Sequence, residues 1–147
     1  MSVHEGQAAS APLRRPPAIR WVRVLLAGFL AEVALIVVAV PLFSAPNPTL
    51  ALNLGIPPAS FLLLVGFGYW AARGAARSQV LNGFLAGLTG VVLYLGLAVV
   101  GAVATHRTDI SAAVTPAYLL AHALKLAGGA VGGMLAARRR PTVADAA

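Results

Sequence analysis

Apolar positions along the chain gather into four long runs separated by short polar or proline-bearing breaks. The first, Val22 to Leu42, carries Glu32 as its one charge after Arg23, and Trp21 and Arg23 mark a membrane interface at its start. A turn with two prolines, Ser44 to Thr49, follows. The second run is predicted from Pro57, a residue suited to a first helical turn, to Arg73 or Ala75; the alternative is a start near Leu50 with a kink at Pro57 and Pro58. Tyr69 and Trp70 close it as an aromatic belt, with Arg73 and Arg77 just beyond. The third run extends from Val80 to about Ala104, and Pro116 opens the fourth, which reaches about Ala137. Runs of this length predict an all-α, four-helix transmembrane bundle over residues 21–140, flanked by a flexible basic tail (1–20) and a short tail (141–147).

Helical periodicity then divides the last two runs into faces. In the third, Gly83, Gly87, Gly90, Tyr94, Leu97 and Gly101 recur as a seven-residue seam, which predicts close packing along the whole helix. In the fourth, Tyr118, His122, Lys125, Gly129, Gly132, Gly133 and Ala136 share one stripe, and Leu120, Leu124, Val131, Met134 and Leu135 share the other. Glycine at such spacing lets a neighbouring backbone approach closely, which matters in a bilayer, where apolar area gives helices no reason to associate. Gly83, Gly87, Gly90, Gly129, Gly132 and Gly133 are therefore the expected packing residues. They could pair within one chain, with a second copy or with another membrane protein.

Composition agrees with the pattern. Of the 147 residues 59% are hydrophobic and 10% charged, against about a quarter charged in a soluble domain. The net charge of +7 comes from arginines flanking the apolar runs. It is expected to mark a cytoplasmic face rather than a nucleic-acid surface. Arg14, Arg15, Arg20, Arg23, Arg73, Arg77 and Arg138 to Arg140 fall on one side of the bundle and Arg107 on the other. Both termini are thus expected in the cytoplasm of a cell with an inner membrane. The absence of cysteine excludes disulfides and thiolate metal sites.

Two charges are expected deep in the membrane, Glu32 in the first helix and Lys125 in the fourth, each costing about 2.5 to 3.5 kcal/mol to insert. They differ in depth by about 6 Å counted from the flanking arginines, or about 3 Å counted from the outer ends, so a direct pair is open at this point. Tyr94 lies close to the depth of Lys125 and could donate to a carboxylate or accept from the ammonium. Glu32, Tyr94, His122 and Lys125 form the candidate cluster, read either as a structural lock or as a proton or ion site. No metal-binding spacing accompanies His122, and none of the sequence patterns of metalloprotease, hydrolase, nucleotide-binding or intramembrane aspartyl chemistry occurs. Neither catalysis nor a cofactor is expected.

Gly68 to Arg73 (GYWAAR), Asn82 to Gly87 (NGFLAG) and Gly128 to Gly133 (GGAVGG) before a basic stop together resemble a family of small four-helix bacterial integral membrane proteins of unknown function. The resemblance implies architecture and membrane location. Leu30 to Val33 (LAEV) in the first of four short helices is similar to the small multidrug resistance exporters, whose first-helix glutamate exchanges protons for cationic drugs. That likeness would make Glu32 a coupling residue, although the Lys125 ammonium would repel a cationic substrate.

Overall fold

The computed structural model describes residues 18–75, 77–106 and 115–139. Residues 1–17 of the expected first tail, the expected second tail, the Arg107 and Asp109 loop and Arg140 lie outside the described residues, whereas Ala18 and Arg20, placed in the flexible tail by the sequence, are hydrogen-bonded to Asn82. Within them the chain is an all-α bundle of four helices: α1 (Trp21–Phe43), α2 (Pro48–Ala72), α3 (Gln79–Ala104) and α4 (Pro116–Arg138). Each has at least 23 residues and an apolar stretch long enough to cross a membrane. At 1.5 Å per residue the shortest spans about 35 Å, more than a hydrocarbon core of about 30 Å.

The start of α2 replaces the expectation of Pro57 with one close to the alternative near Leu50. Asn47 caps the helix, its side chain accepting from the Leu50 N–H at 3.1 Å, and Pro48 occupies the first turn. Asn47-Pro48 is thus a helix start, although its composition resembles a turn. Pro57 and Pro58 lie inside the helix. In water two interior prolines would argue against continuity, but in an apolar phase a broken helix would strand more backbone groups than the prolines do.

The helices occupy the corners of a rhombus. α4 packs on α2 and α3, α1 packs on the same two, and α1 and α4 barely meet. Glycine explains the tightest contacts. On α4, Gly128 lies against the backbone of Phe61 and Gly132 against that of Val65 to Tyr69, whereas Gly129 and Gly133 lie against Gly83 and the Gln79–Val80 backbone of α3. Two interleaved four-residue spacings on one helix therefore serve two neighbours, and a Cβ at any of these positions would overlap backbone.

The α3 seam stops short of its expected length. Gly83, Gly87 and Gly90 are buried, but Leu97 is 58% exposed and a Cβ at Gly96 or Gly101 would meet nothing within 4 Å. Every buried residue of α3 falls between Asn82 and Gly90.

The arginine end is closed by hydrogen bonds. Fully buried Asn82 accepts from the Arg20 N–H and donates to the carbonyls of Ala18 and Ser78, each at 2.9 Å. The Arg73 carbonyl, left over at the end of α2, accepts from Arg23 at 2.9 Å, and the Arg23 guanidinium lies over Trp70. These contacts join the entry of α1, the exit of α2 and the entry of α3 into one polar collar.

Candidate functional site

Lys125 is the largest fully buried side chain among the described residues, and its Nζ donates to Glu32 Oε1 at 2.5 Å. The two residues sit on the two helices that scarcely touch, so the pair crosses the long diagonal of the rhombus through the bundle's interior. The pair forms although counting from the flanking arginines sets the two residues at different depths. α3 shows their actual levels: the Lys125 backbone lies beside Gly87, and Glu32 follows one turn after Gly28, which faces Ala86 and Thr89.

Glycines on α3 make room for the pair. A Cβ at Gly90 would stand 2.8 Å from Glu32 Oε1, and one at Gly87 would collide with the Lys125 carbonyl. The seam thus both draws α4 in and leaves space for the carboxylate coming from α1.

Tyr94 joins the cluster through its ring. Lys125 Nζ lies 5.2 Å from the ring centroid, within cation–π range. The same ring stacks on Tyr118 at 5.5 Å and meets His122 at 4.7 Å. The expected hydroxyl contact with the charged pair is not among the described hydrogen bonds.

His122 lies one turn from Lys125 on α4, and both of its ring nitrogens are buried without a hydrogen-bond partner among the described residues. It borders a half-open cavity of about 120 Å³ lined by Glu32, Lys125, His122, Tyr94 and Tyr118 together with apolar residues of α1, α2 and α4. The cavity extends from the pair toward Phe43 and Leu52 at the end of the bundle away from the arginines. No group of three or more potential metal ligands occurs among the described residues.

The cluster therefore brings together all four candidates, Glu32, Tyr94, His122 and Lys125. Tyr118 belongs with them, and its place on the α4 stripe beside His122 was the available signal. Asn82 and Ser60 were not singled out. Asn82 carried a signal, a polar residue beside the glycine seam, whereas Ser60, fully buried with its hydroxyl unpartnered among the described residues, is one small side chain in an apolar run. Comparison with protein-family models, with curated proteins and with solved structures found no match.

Proposed function

We propose that this chain is a non-enzymatic integral membrane protein, a rigid bundle whose Glu32–Lys125 pair locks α1 and α4 at one depth and which acts through contacts with other membrane components. The observation that carries the reading is a buried ion pair joining two helices with almost no other contact. Such a pair adds little net stability over an apolar replacement but strongly penalises any arrangement that separates the charges. Removing one partner strands the other, so Lys125→Met should cost about 3 to 5 kcal/mol, and Glu32→Gln with Lys125→Met should recover much of it. Thermal unfolding in detergent measures both. Equal losses in the single and double variants would sink the lock.

The location we propose is a bacterial inner membrane with both termini inside, supported by the arginine asymmetry. The cysteine-free chain permits a direct test. Ser44→Cys should react in intact cells with an impermeant thiol reagent and Ser78→Cys should not; the reverse pattern refutes the orientation.

A second reading is favoured by the cavity's reaching Glu32: proton-coupled transport, as the likeness to the small exporters implies. In proteoliposomes under a pH gradient it requires a flux of cationic dye that Glu32→Gln abolishes. With Lys125 holding the carboxylate, the expected result is no flux.

A further inference from the structure

We infer that the groove beside Trp70 on the outer surface of α1 and α2 holds an acyl chain of an acidic phospholipid whose phosphate is taken by Arg20 and Arg23. This rests on the reading of the chain as a membrane bundle and names one membrane component that it meets. It does not involve the ion pair.

The groove is lined by Leu30 of α1 and by Leu62, Leu63, Gly66, Phe67 and Trp70 of α2. From Trp70 to Leu62 it follows α2 for about 12 Å at the helical rise, running inward from the arginine end. Leu30, Leu62 and Trp70 are exposed, so the groove opens sideways, where lipid lies. Gly66 gives it depth. A Cβ there would meet nothing within 4 Å, whereas one at Gly68, two residues on, would collide with the Gly129 backbone. An open channel with apolar walls along a helix fits a hydrocarbon chain. In a bilayer, however, apolar surface alone favours no one neighbour over another, so selectivity has to come from the head group.

The surface end of the groove supplies it. The Arg23 guanidinium lies 5.7 Å from the centroid of the Trp70 ring, and that indole lines the groove. Arg23 and Arg20 converge on one atom, the Arg73 carbonyl oxygen, at 2.9 and 3.5 Å. Two like charges are thus gathered at the mouth of the groove, and Arg73 adds a third to the same turn. Glu32 is the only acid among the described residues, and Lys125 holds it. No described carboxylate therefore compensates the arginines. Each guanidinium has five N–H donors in a fork that matches phosphate oxygens. A phosphate shared between Arg20 and Arg23 satisfies both forks and relieves their mutual repulsion. A zwitterionic lipid would bring an ammonium to the same place, where the guanidiniums repel it. The favoured head group carries a net negative charge, as that of phosphatidylglycerol does.

The test uses the full chain carrying Trp21→Phe, which leaves Trp70 as its one tryptophan, in phosphatidylcholine vesicles. Phosphatidylglycerol or phosphatidylcholine brominated on the upper part of its chains is added in turn, and bromine quenches an indole that it touches. Quenching of Trp70 should favour the brominated phosphatidylglycerol about fivefold or more. Arg23→Gln should remove most of that preference. Gly66→Leu, which fills the groove in open space, should remove it too while leaving the unfolding temperature in detergent unchanged. Arg138→Gln, on α4 at the same end of the bundle, should leave the preference intact. Glycerophosphoglycerol, the head without chains, should not displace the lipid.

Equal quenching by the two lipids would overturn the proposal. A preference that survives Gly66→Leu, or one lost equally in Arg138→Gln and Arg23→Gln, would overturn it by reducing it to diffuse attraction of acidic lipid to a basic surface. Displacement by glycerophosphoglycerol would overturn it in favour of an anion site without a groove. Absence of quenching by either lipid would overturn it together with the membrane reading. Should Arg23→Gln fail to fold, Arg20→Gln takes its place. The lock is read from the stability of Glu32 and Lys125 variants in detergent without added lipid, so either idea can fail alone.

Discussion

The half of the bundle nearest the arginines and the half beyond Gly90 are built from the same four apolar helices, yet one is tight and the other open. In the first, α4 glycines lie directly on the backbones of α2 and α3. In the second, α3 from Leu95 onward is mostly exposed and a cavity lies between the remaining helices. The facing residues of α3 and α4 show where the change occurs. Gly83 meets Gly129 and Gly133, Gly87 meets Lys125, and then Tyr94 meets Tyr118 with ring centroids 5.5 Å apart. Two stacked rings hold backbones farther apart than two glycines do. Apolar composition alone therefore does not assemble membrane helices; backbone approach and buried polar contacts do. The ion pair sits at the junction of the two halves.

The comparison is broken most severely by removing the close approach. Gly129→Leu places a branched side chain against the Gly83 carbonyl, and we expect a loss above about 3 kcal/mol, beyond the usual range for overpacked cores because the obstacle is backbone. Gly101→Leu, in open space, should lie within about 0.5 kcal/mol of the parent. Similar thermal unfolding temperatures for the two in detergent would erase the distinction between the halves.

Next in size is the junction. Lys125→Met leaves Glu32 buried without its partner, and the loss of about 3 to 5 kcal/mol should appear as cooperative unfolding at lower temperature. If instead only the open half loosens, hydrogen exchange will rise in the outer turns of α1 and α4 while the glycine-packed turns stay protected. That result would sharpen the division.

A smaller effect is expected at the arginine end. Asn82→Ala deprives the Arg20 N–H and the Ala18 carbonyl of their partner, at a cost of about 1 to 3 kcal/mol. Chemical denaturation monitored by tryptophan fluorescence suits this variant, because Trp21 and Trp70 lie at that end. An unchanged midpoint would mean that the polar collar adds nothing to the tight half.

Smallest of all, Leu88→Ala and Leu97→Ala alter side chains 39% and 58% exposed. Both should fall within about 0.5 kcal/mol of the parent. A large loss for Leu97→Ala alone would reveal a partner on the open half of α3, such as a second copy of the chain.

Much of this arrangement was legible in the residues. Four apolar runs of spanning length leave the backbone no alternative to helices in a bilayer, and the α4 stripe could be read because one helix's periodicity determines which residues share a face. Gly129, Gly132, Gly133 and Lys125 came from that periodicity, and Glu32 and Lys125 stood out as charges in apolar runs. The residues leave the start of α2 between Pro57 and about Leu50 because Asn47 and Pro48 belong equally to a turn and to a helix cap, and only the Leu50 N–H meeting the Asn47 side chain decides for the earlier start.

What the sequence alone determined is therefore local: the number of helices, the composition of their faces and the identity of the buried charges. Each follows from the properties of one segment in an apolar solvent. Only the tertiary structure decided that the α3 seam ends at Gly90, that Glu32 and Lys125 meet across the diagonal, that Tyr94 offers its ring rather than its hydroxyl, and that His122 borders a cavity. These depend on the relative height and separation of helices distant in the chain, and those distances come from the summed fit of many side chains, which no periodicity within a single helix encodes.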